Sequence, residues 1–175
     1  MEVRKTMHNI KWNEHIDILK DALSGSGVFL VALDKNGRAN PMTIGWGQMG
    51  IVWSRPVFTV LVRKSRYTYS CLLEAPDFTV NVPTVGTLSE ELLFCGSKSG
   101  RDVDKAAACG LTMEQAQEVL TPIVSECQLH YECKVVVRKQ LSGADFSSPA
   151  ILDEYYQDSD HHMLVIGEIV AAYVT

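Results

Sequence analysis

Three polar stretches carry residue types and spacings that can do chemistry. In VRKSRYTYS, Arg63, Lys64 and Arg66 set three cations beside a helix start, with the hydroxyls of Ser65, Thr68 and Ser70 close by. The first turn of a helix presents unpaired N–H groups and the positive end of its dipole, so this is an anion site and suits a phosphate. Arg adds paired donors and Lys a point charge. A solvated basic turn on an acidic protein explains the same residues equally well. In TIGWGQMG, Gly45, Gly47 and Gly50 form a literal GxGxxG. A dinucleotide-binding turn needs a strand before the glycines, a helix after them and an acid about 20 residues on. Here IVWSRPVFTVLV follows, which is β-branched, aromatic and interrupted by Pro56, and no acid lies between Arg55 and Leu73. The segment is a strand and the match to that motif is accidental. Glycine in a strand leaves room for a close backbone or a ligand, and a flat ring with Trp46 as its wall fits such a gap. A bulge or barrel corner would need the same glycines.

The third stretch is GSKSGRDVDK, where Ser97, Lys98, Ser99 and Arg101 can meet a phosphate or a second substrate; alternatively Asp102, Asp104 and Lys105 cap and charge the next helix. Asp158, Asp160, His161 and His162 are the tightest group of metal-ligating types, and they read as a polar loop before a strand rather than a metal site. No nucleophile elbow, HExxH, Walker loop or triad pattern is present, and no histidine has a local catalytic partner. No catalytic residue is therefore named.

The chain that must position these residues has 175 of them, a net charge of -5 and 46% apolar residues. That length predicts one domain, residues 1–175, with a sizeable core. The acidic balance gives no electrostatic support for nucleic acid. No apolar run approaches the ~20 residues of a membrane span, and the first residues lack the apolar stretch of a signal peptide, so the expected location is cytoplasmic with no membrane partner. The cysteines Cys71, Cys95, Cys109, Cys127 and Cys133 are scattered without a CxxC, which fits reduced thiols packed as small apolar groups.

Along the chain, Asn13 is placed to cap a helix of about 14–23 with Ile16, Leu19 and Leu23 on one face. VFLVAL reads as a buried strand, DKNGR as a hairpin turn and the stretch from Ala39 as the return strand, with PVFTVLVR as its neighbour. Ser65 is placed to cap RYTYSCLLEA with Tyr69, Leu72 and Leu73 inward. DFTVNVP is a strand ended by Pro83. Thr87-Leu88-Ser89-Glu90 reads as a capping box opening a helix through Leu92 and Leu93, and KAAAC as a short helix ended by Gly110. CQLHYECKVVVRKQL and MLVIGEIVAAYV are long strands with a loop, FSSPAILDEYYQDSD, between them. Strands with short helices inserted, rather than alternating βαβ units, predict a mainly β (α+β) antiparallel fold with helices covering its ends.

These residues resemble the flavin reductase-like family of FMN-binding split barrels, and within it the flavoredoxin-like branch. The likeness rests on NPMTIGW, the Arg55-Pro56 step before VFTVLVR, RKSRYTYSCL, DFTVNVP, FCGSKSGRDVDK, CGLT, ECQLHYECKV and HMLVIGEIV, in the family's order from about Asn36 to Val174. The resemblance implies an antiparallel split β-barrel, a homodimer, and FMN held non-covalently near the subunit boundary. It places Met42, Thr43, Ile44, Gly45 and Trp46 along the flavin, and Arg63, Lys64, Ser65, Tyr67 and Thr68 near the ribityl phosphate. It also places Asn81, Ser99 and Arg101 close by, with His162 at the flavin edge. It implies an oxidoreductase that passes reducing equivalents through FMN, as an NAD(P)H-dependent flavin reductase or as an electron carrier for a redox partner protein; the alternative it leaves open is a non-catalytic FMN-binding module. Two departures stand out: the stretch of about Ala144–Asp160 is longer than the family pattern, and the helix of about 14–23 lies outside it.

Overall fold

The computed structural model describes residues 6–175. In chain order the elements are β1 His8–Asn9, α1 Ile16–Ser24, β2 Val28–Leu33, β3 Ala39–Ile44, β4 Gly47–Val52 and β5 Arg55–Arg63. Then come α2 Tyr67–Glu74, β6 Asp77–Val82, α3 Ser89–Ser97, α4 Lys105–Cys109, β7 Met113–Glu114 and β8 Ile123–Val124. The chain closes with β9 Leu129–Gln140, α5 Pro149–Tyr155 and β10 His162–Val174.

One antiparallel sheet runs in the order β3-β2-β6-β9-β10-β5-β4, with β1 added to β10; β7 and β8 form a separate pair. The two outer strands of that order, β3 and β4, are consecutive in the chain and are separated by only Gly45 and Trp46. A linker of two residues spans at most about 10 Å. The sheet must therefore curl until its edges nearly meet, yet no ladder joins them. This is a split barrel, and the split lies at the Gly45-Trp46 step.

Period-2 alternation fills both sides of the barrel wall. Along β2, Val28, Leu30 and Ala32 enter the main core with Phe58, Phe78 and Tyr131. Phe29 and Val31 point the other way, into a second cluster with Leu92, Cys95 and Ala106 under α3 and α4. Burial on both faces is why VFLVAL is an unbroken apolar run. Gly167 in β10 is fixed by packing, because a Cβ there would lie 2.6 Å from Phe78 Cε1 and 2.7 Å from Cys133 Cβ.

Several expectations are corrected. The stretch from Ala39 is two strands, not one; β3 pairs only with β2, and β4 is the neighbour of β5. Ile16 opens α1 after His15 in a left-handed conformation (φ 58°), without a cap from Asn13. Arg66, not Ser65, is the N-cap position of α2, and it makes no side-chain cap bond. Leu88, also left-handed (φ 55°), precedes α3, while the Thr87 hydroxyl donates to Thr84 C=O. Leu73 is exposed rather than inward. The expected loop before β10 contains α5, with Pro149 in its first turn. The reading of Asp104 as a cap holds: its carboxylate accepts from Ala107 N–H at 3.1 Å, and Gly110 ends α4 at φ 64°.

Candidate functional site

The split opens into a cleft of about 370 Å³ lined by main chain, apolar groups and two arginines. β3 supplies Met42, Thr43 and Ile44, and the crossing supplies Gly45 and Trp46. Leu61 and Arg63 come from β5, Arg66 from the start of α2, Gly96 from α3, Tyr155 from α5 and His162 from β10. The Thr43 hydroxyl donates to Leu92 C=O at 2.6 Å, which ties β3 to α3. Trp46 is 43% exposed and meets Tyr155 edge to face, ring centroids 5.1 Å apart; the His162 ring lies 5.3 Å from it, tilted by 48°.

His162 is buried, and its Nδ1 shares a 2.8 Å hydrogen bond with the Tyr156 hydroxyl. Burial, with Arg63 adding to it, pushes the imidazole down to about 4, so the ring is neutral at pH 7. Arg63 is fixed by the segment before β10: it donates to the carbonyls of Asp160 (3.0 Å) and Tyr155 (2.7 Å). The Asp160 carboxylate accepts from both the N–H (3.1 Å) and the hydroxyl (2.5 Å) of Ser65. The long 144–160 stretch is thus pinned over the cleft.

A second pocket, of about 170 Å³, adjoins the first and shares Arg66 with it. Its lining is polar: Ser65, Arg66, Tyr67 and Thr68 from the start of α2, Ser97 through Arg101 from the loop after α3, and Lys105 from α4. Gly100 lies so close to β3 and α2 that a Cβ would be 2.0 Å from Asn40 Oδ1 and 2.7 Å from Tyr67 Cδ1. Asn40 Nδ2 donates to the Thr68 hydroxyl at 2.8 Å, and Arg38 Nη2 holds Gly100 C=O at 2.7 Å while paired with Asp34. Arg101 donates to Ser65 C=O at 3.2 Å and stands 5.3 Å over the Tyr67 ring. These contacts build a fixed cradle with four cations and no carboxylate in its lining.

Of the fourteen residues expected to contact the ligand, Met42, Thr43, Ile44, Gly45, Trp46, Arg63 and His162 meet in the large cleft. Ser65, Tyr67, Thr68, Ser99 and Arg101 meet in the small one. Lys64 is exposed and lines neither. Asn81 also lines neither: it is buried in β6, where its Oδ1 accepts from Val124 N–H and bonds His130, and its Nδ2 donates to Thr79. Arg66, already visible as one of three adjacent cations, is the residue common to both pockets. Tyr155 had no signal while its segment read as loop. Cys95 lies fully buried beside the small pocket, and burial pushes its thiol up to about 12, which makes it a packing group.

The flavin reductase like domain model matches residues 22–175. A protein of Archaeoglobus fulgidus is 30% identical over 133 residues, covering 76% of this chain; the chain spans 64% of that relative's length. The crystal structure of flavoredoxin from Methanosarcina acetivorans aligns with a TM-score of 0.65 at 32% identity, over 85% of this chain and 67% of that one. A structure from Shewanella frigidimarina NCIMB 400, described as having a split barrel domain, aligns with a TM-score of 0.67 at 24% identity over 97% of this chain and 81% of that one, a likeness of fold.

Proposed function

The chain belongs to the flavin reductase-like family, and from that premise we propose that it is an FMN-binding flavoprotein oxidoreductase. The observation that carries the reading is the pair of joined pockets. The larger, about 370 Å³ with apolar and main-chain walls, falls in the range of small-ligand sites and suits a flat heteroaromatic ring. The smaller, cationic and rich in hydroxyls, suits the phosphate at the end of a flexible tail.

FMN, when bound, supplies the electron-transfer chemistry. The protein's own groups position it and control water and charge. Met42, Thr43, Ile44, Gly45 and Trp46 line the ring side, and Trp46 with Tyr155 shields it from solvent. Arg63, held by two carbonyls, sets a fixed positive charge at the cleft, and His162 offers an uncharged ring held in orientation by Tyr156. Ser65, Tyr67, Thr68, Ser99 and Arg101 surround the phosphate together with Arg66.

Likeness to flavoredoxin at 32% identity supports an electron carrier that keeps its flavin and serves a redox partner protein. The other reading is an NAD(P)H-dependent FMN reductase. A homodimer is part of the proposal: β4 is a sheet edge, and Ile51, Val52 and Trp53 at its end are exposed, an apolar margin suited to a second copy. We also propose one domain for residues 1–175, working in the cytoplasm, where five free cysteines stay reduced. No helix among the described residues is long and apolar enough to cross a membrane.

Titrating FMN into the purified chain tests the central claim. Quenched flavin fluorescence with a dissociation constant in the micromolar range or below is expected, and no binding at tens of micromolar refutes it. Oxidation of NADH or NADPH by the loaded protein separates the reductase from the carrier.

A further inference from the structure

Lys105 and Cys109 stand one turn apart on α4 and so share a face of it. That face meets Cys95, near the end of α3. The Lys105 amine donates to Cys95 C=O at 3.2 Å, and the thiols of Cys95 and Cys109 share a side-chain hydrogen bond. Cys95 is fully buried in the cluster under α3 and α4, while Cys109 packs against that cluster from a half-buried position. Two sulfurs are thus in contact, one covered and one reached by solvent. A disulfide draws such a pair to about 2 Å, and Lys105 holds the two helices together beside the point of closure. The surroundings favour Cys109 as the attacking sulfur. Burial raises both thiols, Cys95 to about 12. For Cys109 the hydrogen bond from Cys95 and the Lys105 charge work against burial and Glu91, whereas at rest Cys95 packs with its proton in place.

We propose that Cys95 and Cys109 are a preformed dithiol that hydrogen peroxide oxidises to a reversible disulfide, joining α3 to α4. Cys109, as the thiolate, attacks one peroxide oxygen; the O–O bond breaks, the departing hydroxide takes up the proton the thiol released, and Cys109 becomes a sulfenic acid. Cys95 then attacks that sulfur. The S–S bond forms, the S–O bond breaks, and the hydroxide leaves with the Cys95 proton as a second water. Two electrons pass from the sulfur pair to peroxide, and a reducing dithiol returns them by thiol–disulfide exchange. A transient link of this kind fits a chain whose cysteines otherwise stay reduced. The closed loop contains Ser97 through Arg101 and Lys105, the whole share of the small pocket that α4 and the loop before it contribute. The claim holds whether or not that pocket takes FMN.

The test treats the full-length wild type with a few equivalents of hydrogen peroxide near neutral pH, blocks the remaining thiols and digests the chain. Cleavage after Glu, Lys and Arg leaves Cys95 in 92–98 and Cys109 in 106–114, each without a second cysteine. Mass spectrometry should find these two fragments joined. The melting temperature of the oxidised protein should rise by about 6–12 °C, the scale for closing a loop of about 15 residues in a chain of this size. Dithiothreitol should reverse both changes, and Cys109→Ser should show neither. In Cys95→Ala the sulfenic acid on Cys109 has no resolving thiol and should take up dimedone, which the wild type does not. Separate fragments, or either cysteine joined to a different one, overturn the proposal. So does a joined pair with no rise in melting temperature, because helices that had to move to close the bond were not preformed. A folded Cys95→Ala whose Cys109 takes no label overturns Cys109 as the attacking sulfur. Should Cys95→Ala fail to fold, the wild-type fragments and Cys109→Ser decide the matter on their own.

Discussion

Acid should unfold this protein partly through His162. The residue opens β10, is 7% exposed, and stands directly across the ladder from Arg63. Protonating it would place an imidazolium in a dry site next to a guanidinium, and these two causes push it from the usual 6.5 to about 4. The sign follows from which state takes the proton first. Above about 6.5 the ring is neutral in both folded and unfolded chains and stability does not depend on it. As pH falls from 6.5 towards 4, the unfolded chain binds the proton while the folded chain resists, so stability drops. Each pH unit in that window is worth about 1.4 kcal/mol, or about 2–3 kcal/mol by pH 4.5. His162→Gln keeps a partner for the Tyr156 hydroxyl and removes the titration. Urea unfolding of both proteins at about pH 7.5 and 4.5 should show the wild type losing about 2–3 kcal/mol more than the variant. Equal losses within about 0.5 kcal/mol would refute a buried, neutral His162. So would the His162 ring resonance, assigned by its loss in His162→Gln, if it titrated at about 6.5 in the folded protein.

Gly100→Ala puts a Cβ 2.0 Å from Asn40 Oδ1. It should cost about 1–3 kcal/mol by overpacking and weaken FMN more than riboflavin, because it displaces the Asn40–Thr68 pair at the cradle; wild-type stability in urea would show that the contact relaxes freely. Glu132 is fully buried and accepts from the N–H groups of Gln117 (2.7 Å), Glu118 (2.6 Å) and Val119 (3.1 Å) and from the Tyr173 hydroxyl (2.7 Å). Glu132→Gln turns one acceptor oxygen into a donor facing donors and should cost about 2–4 kcal/mol with flavin contacts intact; a loss under about 1 kcal/mol would contradict the network.

Strands were legible where one segment contains its own signal. VFLVAL, DFTVNV and the two long C-terminal strands fall within a residue or two of their observed bounds, because β-branched and aromatic runs bounded by turns read the same in any context. The break at Gly45-Trp46 was not legible. Nothing local tells a glycine that bends a strand from one that carries the chain across two sheet edges, since pairing is decided by residues far along the sequence. Helix starts failed for a related reason. Asn13, Ser65 and Thr87 have the right side chains for caps, but the Ser65 hydroxyl is taken by Asp160, 95 positions away, and that of Thr87 by Thr84. The helix α5 buries none of its residues, so it leaves no apolar period to find.

The site was half visible for the same reason. Ring-side residues are contiguous, Met42 to Trp46, and contiguous residues can be read as a motif. The anion pocket is assembled from 65–68, 97–101 and 105, and its members are neighbours only after α3 and α4 pack under β2 and β3. Of three cations adjacent in sequence, the strand end points Arg63 at the α5 segment, leaves Lys64 in solvent and turns Arg66 between the pockets. Adjacency of charge in sequence therefore did not predict convergence of charge in space. Lys105 makes the converse point: in KAAAC it looks like the solvated end of a short helix, and only tertiary packing buries its amine. The whole chain carries -5, which argues against an affinity for polyanions. Yet four of its 16 lysines and arginines line one ten-residue pocket without an acid among them. Net charge describes the field at a distance. Inside a dry cradle the field is set by the few groups that line it, and there this acidic protein is locally cationic.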